Sequence, residues 1–209
     1  MPRKTLPARR RARPLDQPER RAALLRSAIR VFARRGLGGA RHAEIAREAK
    51  VSVPTVFFYF PTRAALVRDV LNEVAGFFDQ MNERIYASDR PAPELVLAGA
   101  RSFAEAVTTR PDYACVVLEW STAIRSEIWP LYLRFHEKVL ARITGTVRRW
   151  RLQTGSSRVE DSENDARVIM ATGYVVSQMK ITRVPEAKIE RFLQTMLYDT
   201  LGEELKLVI

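Results

Sequence analysis

The sequence predicts an all-α protein of about nine helices, with a small N-terminal helix-turn-helix domain followed by a larger helical body. Three observations predict it. Apolar residues recur at helical spacing through most of the chain, and no stretch shows strand alternation or an Asn-Gly hairpin signal. The charge is also divided. Residues 1–62 hold 15 basic and 4 acidic side chains, a net +11, whereas residues 63–209 hold 20 of each and are neutral. Segregation of this kind implies a small module for a polyanion fused to a body with another task.

The first 15 residues carry Arg3, Lys4, Arg9, Arg10, Arg11 and Arg13 with three prolines and no acid, so they read as a flexible basic arm. Asp16 or Gln17, then Pro18 and Glu19, form a helix start: a capping side chain, a proline in the first turn, and a carboxylate near the positive end of the helix dipole. Leu24, Leu25, Ala28, Ile29, Phe32 and Ala33 give that helix its apolar face, and Gly36 ends it. A short second helix spans about 41–50. Ser52 caps a third that runs to about residue 60 before Pro61 breaks it. Thr62 caps a fourth, 63–86. Further helices are expected over about 94–109, 112–124, 127–153, 161–182 and 186–205, separated by turn residues near 88–93, 110–111 and 155–157. The expected domains are the arm at 1–15, a helix-turn-helix domain at 16–62 and a regulatory and dimerisation domain at 63–209.

Composition excludes several function classes. A chain of 209 residues with 46 % hydrophobic side chains can bury a core, which argues against disorder throughout. Its longest apolar runs fall well short of the roughly 18 residues a membrane span needs. One Cys, Cys115, forbids an internal disulfide framework. Two His and one Cys leave too few ligands for a typical zinc site. The arm lacks the apolar stretch of a secretory signal, so a cytoplasmic location is expected. No nucleophile stands beside a base at recognisable spacing. The sequence therefore reads as a non-enzyme, with neither metal nor cofactor expected.

Two short helices joined by a tight turn suit a helix-turn-helix, whose second helix enters the major groove of DNA. On a wheel advancing about 100° per residue, Val56, Phe57 and Phe60 share one face and are expected to pack on the first helix. Ser52, Thr55, Phe58 and Tyr59 share the opposite face. That face is the expected DNA surface. Its hydroxyls suit phosphates, Phe58 suits a thymine methyl, and Pro54 in the first turn stiffens the helix entry. The helix N-terminus at Thr62 suits one more phosphate. His42 reads as a packing or capping residue.

The run VFARRGLGGARHAEIAREAKVSVPTVFFYFPTRAALVRDVL resembles the DNA-binding region of the TetR family of one-component transcriptional regulators. VFARRG, VSV-TVF-YFPTR and the distant EWSTAIRSEIWPLY are similar to the LuxR/HapR/SmcR branch, which are quorum-sensing master regulators. The resemblance implies an all-α homodimer that binds a near-palindromic operator. Each subunit's first three helices would take one half-site, and its last two helices would form a four-helix dimer interface. It implies backbone contacts from Thr55 and Tyr59, groove positions for Ser52 and Pro54, phosphate support from Arg63, and DNA contacts from Arg9, Arg10, Arg11 and Arg13. Arg41 joins this expected surface. The sequence departs from the branch at Phe58, where the branch has Asn, and at Ala40 and Arg41, where it has Gly-Gly.

In the body, Phe77, Phe78, Met81, Val117, Trp120, Phe135, His136, Val139 and Tyr174 are candidates to line a pocket for a small apolar effector. The same residues also suit an ordinary core. For dimerisation, the apolar faces of the last two helices supply Val168, Val176, Ile189, Phe192, Leu193, Met196 and Leu197, with Gly173 allowing close approach. Burial inside one subunit would give the same spacing. Sequence-independent nucleic-acid binding through the basic arm stays open as an alternative function.

Overall fold

The computed structural model describes residues 16–124 and 127–202. Within them it holds nine α-helices and no strand. Helix α1 (Gln17–Gly39) begins at a capping box: the Glu19 N–H donates to Asp16 Oδ1 at 2.8 Å, and the Asp16 N–H donates to Glu19 Oε2 at 3.1 Å. At Gly36 the path breaks, with φ 77° and ψ 165°, a conformation open essentially to glycine alone. One further turn then follows, so the expected stop at Gly36 is a kink.

Helices α2 (His42–Ala49) and α3 (Val53–Tyr59) follow. Helix α4 (Arg63–Tyr86), capped by Thr62 as expected, has 24 residues and at 1.5 Å per residue runs about 36 Å. The body continues with α5 (Ala92–Thr109), α6 (Pro111–Trp120), α7 (Trp129–Thr154), α8 (Ser162–Ile181) and α9 (Glu186–Leu201). A 3-10 turn (Val159–Asp161) precedes α8. Prolines in the first turns of α5, α6 and α7 fit positions whose N–H groups lack helical partners anyway. Gly155 and Gly202 end α7 and α9 in the left-handed conformation. Helix α6 stops at Trp120, short of the expected residue 124. There the Ser121 and Thr122 hydroxyls donate to the Leu118 and Glu119 carbonyls at 2.7 and 2.9 Å, competing with continued helix.

Two cores result. One joins α1 to α4, α6 and the start of α7 around Phe32, Phe60, Phe78 and Trp120. The other joins the end of α4 to α5, α7, α8 and α9 around Leu95, Ile143, Ile189 and Leu193. Helix α4 threads both. Helix α1 packs against α6 as well as α2, so the body's core reaches under the basic module. The second core contains one buried cation. Arg151 donates to the Arg158 and Thr200 carbonyls, both at 2.8 Å, and pairs with Asp165, which ties α7, the 3-10 turn, α8 and α9 together. Among the described residues no helix is long and apolar enough to cross a membrane.

Candidate nucleic-acid interface and body pocket

The turn between α2 and α3 is set by two residues. Lys50 takes the left-handed conformation at φ 56°, and its N–H closes α2 by donating to the Ala46 and Arg47 carbonyls. Ser52 then opens α3: its Oγ accepts from the Thr55 N–H at 3.3 Å and lies 2.7 Å from Thr55 Oγ1. One hydroxyl proton is used within that pair, which leaves the other for an outside acceptor. Val56 and Phe60 are buried. Phe58 stands 68 % exposed, with half-buried Tyr59 edge-on to it at 5.1 Å. Ser52 and Pro54 are also exposed.

Phe57 departs from the expected core position. It is 46 % exposed and stacks on the His42 ring, with centroids 4.1 Å apart and planes 3° apart. The reason lies in α2, whose buried His42 bonds through Nε2 to the Phe60 carbonyl at 2.8 Å. That contact sets the imidazole face against the Phe57 ring. His42 is thus a packing residue that holds α3 at both of its last turns.

The acids of the basic module are engaged away from α3. Glu48 pairs with Arg30 and Arg34, and Glu44 pairs with Arg35, all between α1 and α2. The two arginines hold the Glu48 carboxyl below its ordinary range. Arg41, exposed at the start of α2, makes no ion pair among the described residues. Arg9, Arg10, Arg11 and Arg13 lie outside the described residues. Thr62 is exposed, and its Oγ1 accepts from the Ala65 N–H at 3.1 Å. Arg63 turns one guanidinium nitrogen to the Leu37 and Gly38 carbonyls at 2.5 and 3.0 Å.

The hook after Gly36 is gripped a second time, from the body. Glu119 on α6 accepts from the Leu37 N–H at 2.8 Å, and its Oε1 lies 2.9 Å from where a Cβ at residue 36 would stand. Only glycine gives both the backbone angle and the room. One carboxylate therefore links the body to the end of α1.

A cavity between α4, α5, α7 and α8 is lined by Phe78, Phe135, His136, Val139 and Tyr174, five of the nine expected residues. Phe77, Met81, Val117 and Trp120 are corrected. Positions 78, 82 and 86 form the stripe of α4 that faces the cavity, whereas Phe77 and Met81 lie one residue round the helix and pack on the first core. Val117 and Trp120 are fully buried in that core, and the Trp120 indole N–H donates to the Ile128 carbonyl at 3.2 Å. The side chains of Asn82, Tyr86, Phe103, Ile143, Ile169 and Met170 also line the cavity and were missed, and Gly99, Ala100 and Gly173 complete the wall. The 78/82/86 spacing was the available signal, hidden by the polar Asn82.

The cavity's polar groups are few. The Tyr132 and Tyr174 hydroxyls lie 2.8 Å apart, and burial pushes both phenols above their ordinary range. Burial, with Arg167 nearby, pushes His136 down, toward the neutral ring. Asn82 Nδ2 donates to the Phe78 carbonyl at 2.7 Å.

The expected dimer residues also separate. Val176, Ile189, Leu193, Met196 and Leu197 are buried inside the subunit, because the apolar faces of α8 and α9 close on each other and on α5 and α7. Gly173 serves the same packing, with a Cβ there meeting Phe103 at 3.4 Å. Val168 remains outside and is half-exposed. With Ala171 and Val175 it forms a free stripe on α8. On α9, Tyr198 is exposed and Phe192 half-buried.

Comparison with known proteins agrees with this architecture. Residues 24–70 match the family described as bacterial regulatory proteins, tetR family. The HTH-type transcriptional regulator LuxR of Vibrio harveyi is 40 % identical over 119 residues, which span 57 % of this chain and 58 % of that one. The chain thus matches little more than half the length of this curated relative. A TetR family regulator, CifR, solved as a cysteine mutant with a 26-bp operator DNA, superposes with a TM-score of 0.70 at 20 % identity, covering 90 % of this chain and 98 % of that one. The regulator FadR of Bacillus subtilis, solved with stearoyl-CoA, gives 0.68 at 16 % identity, covering 87 % and 98 %. The chain has the TetR-like fold, and the segment that matches the tetR family of bacterial regulatory proteins, residues 24–70, covers its helix-turn-helix.

Proposed function

We propose that this chain is a sequence-specific DNA-binding transcriptional regulator that binds a near-palindromic operator as a homodimer. It would be of the quorum-sensing master-regulator type to which its branch resemblance points. The observation that carries this reading is the bare outer face of α3. Ser52, Pro54 and Phe58 are exposed at the cap and along a helix seven residues long, while the module's Glu44 and Glu48 are paired with arginines of α1. A face left polar and aromatic, without acids, suits a groove lined by phosphates.

In this reading Ser52, Thr55, Tyr59, Thr62 and Arg41 meet phosphates, and Phe58 meets a base edge. Pro54 sets the entry, and the arm arginines Arg9, Arg10, Arg11 and Arg13 follow a groove. Arg63 keeps its other guanidinium nitrogens for phosphate while it holds the hook of α1. Two recognition helices reach adjacent major grooves when about 34–36 Å apart, a spacing set where Val168, Ala171, Val175, Phe192 and Tyr198 meet their copies. A small effector in the body cavity acts by binding one spacing better than another. The Glu119 contact is the direct path from α6 to the DNA module.

Selection of bound fragments from a random DNA pool by the purified chain tests the reading. A two-fold symmetric motif, retained against excess nonspecific DNA at moderate salt, is the expected result. Enrichment of no motif would overturn it in favour of sequence-independent binding.

A further inference from the structure

We infer that the body cavity takes an uncharged, mostly apolar molecule of about single-ring size, which presents one hydrogen-bond acceptor to the Tyr86 hydroxyl. This rests on the effector reading above and adds the ligand's chemistry to it.

The wall excludes an ion. Phe78, Phe103, Phe135, Ile143, Ile169 and Met170 supply its apolar surface, and no Asp, Glu, Lys or Arg is among the residues that line it. The nearby cations are paired elsewhere: Lys138 and Arg142 with Asp79, and Arg167 with Glu163. A carboxylate or ammonium entering this space would lose its hydration and meet no counter-ion. The size is also bounded. The space open to the centre of a water is about 50 Å³, roughly four waters, and Met170 gives one flexible wall.

Of the four polar side chains that face the cavity, Tyr174 is bonded to Tyr132 and Asn82 donates to the Phe78 carbonyl. His136 and Tyr86 make no hydrogen bond among the described residues, and the more deeply buried of the two is Tyr86, 7 % exposed. Gly99 makes the niche for its hydroxyl oxygen, since a Cβ there would lie 2.6 Å from it. The hydroxyl is not sealed within the protein, so its donor is open to a molecule in the cavity. Its position at the cavity wall assigns the missing partner to whatever fills the cavity. A molecule that offers an acceptor satisfies the hydroxyl, whereas a hydrocarbon of the same shape leaves it unpaired.

Cyclohexanone and methylenecyclohexane share a shape and differ in the acceptor, and cyclohexanecarboxylate adds a charge. Titration of each into the full chain, followed through the 13C-labelled Met170 methyl, gives three dissociation constants. The ketone and the alkene are both expected to shift Met170, with the carboxylate the weakest of the three. Tyr86→Phe is expected to reduce the ketone-to-alkene affinity ratio at least tenfold by weakening the ketone alone. The melting temperature of this variant without ligand should stay close to the parent's, because the hydroxyl has no partner to lose among the described residues. Gly99→Ala, which displaces the same hydroxyl, should lower the ratio in a chain that still melts cooperatively. A ratio unchanged in Tyr86→Phe, a carboxylate that binds best, or no Met170 shift with any probe at millimolar concentration would each overturn the inference. Operator affinity, measured separately, distinguishes the two readings. Ketone binding that leaves DNA affinity unchanged ends the effector reading alone, and operator binding without ketone preference ends this inference alone.

Discussion

The basic module and the body hold their polar side chains by different means. In α1 to α3 the side-chain hydrogen bonds cap helix ends or join neighbouring helices, and no Asp, Glu, Lys or Arg is buried among the described residues there: Asp16 bonds with Glu19, Ser52 with Thr55, and His42 with the Phe60 carbonyl. In the body, Arg151 reaches the carbonyls of Arg158 and Thr200 and the carboxylate of Asp165, and so joins three helices and a turn. The first arrangement fixes the angles between short helices with little buried charge. The second concentrates one guanidinium where several elements meet, so its loss must be felt across all of them.

The largest expected effect breaks the body alone. Arg151→Ala leaves Asp165 buried with only the longer Arg158 contact at 3.3 Å, and should cost about 3–5 kcal/mol. Denaturant midpoints should fall, and hydrogen exchange should speed up in α8 and α9 more than in α2 and α3. Equal loss of protection in both regions would show that they respond as one unit.

Next comes the contact between the regions. Gly36→Ala forces a side chain into a glycine-only conformation and against Glu119, at a cost of about 1–3 kcal/mol. Glu119→Ala, which leaves the Leu37 N–H without its acceptor, should cost about 1 kcal/mol. Both should weaken operator binding although neither residue lies on α3; unchanged binding would remove Glu119 from the path between body and DNA.

A third test divides the DNA face itself. Phe58→Ala should alter preference at one base position by about 1 kcal/mol, while Thr55→Ala should weaken all sequences alike. Selection profiles for the two variants check this, and identical profiles would erase the division.

The smallest effect lies at the cavity. Burial, and then Arg167, lower the His136 pKa in the folded chain, with Glu137 opposing them. The unfolded chain therefore binds the proton more readily. Stability from this residue is present above about pH 6.5, the ordinary histidine value, and is lost as the pH falls through the folded value. His136→Asn should flatten the stability profile across that window in thermal melts.

The legibility of the chain follows the same division. Every expected helix is present, because caps such as Asp16, Ser52 and Thr62 and stops such as Gly155 act within one turn. Phe57 was misplaced because a wheel counts residues along one helix and has no knowledge of the His42 ring beside it. Leu193 and Leu197 were misassigned to the dimer for a related reason. Apolar spacing says that a face is buried, and the same spacing serves a neighbouring helix or a second chain. Tyr86 was missed because the polar Asn82 interrupts the 78/82/86 stripe that faces the cavity.

By itself the sequence determined the all-α class, most of the helix starts, the split of charge at residue 62 and the turn between α2 and α3. Each depends on residues within a few positions of one another, or on counts along the chain. The tertiary structure alone decided that Glu119 meets the hook after Gly36, that Arg151 gathers the last helices, and that the Tyr86 hydroxyl stands without a partner at a cavity wall. Those facts depend on contacts between different helices, α1 with α6, α7 with α8 and α9, and α4 with α5, which only tertiary packing brings within reach.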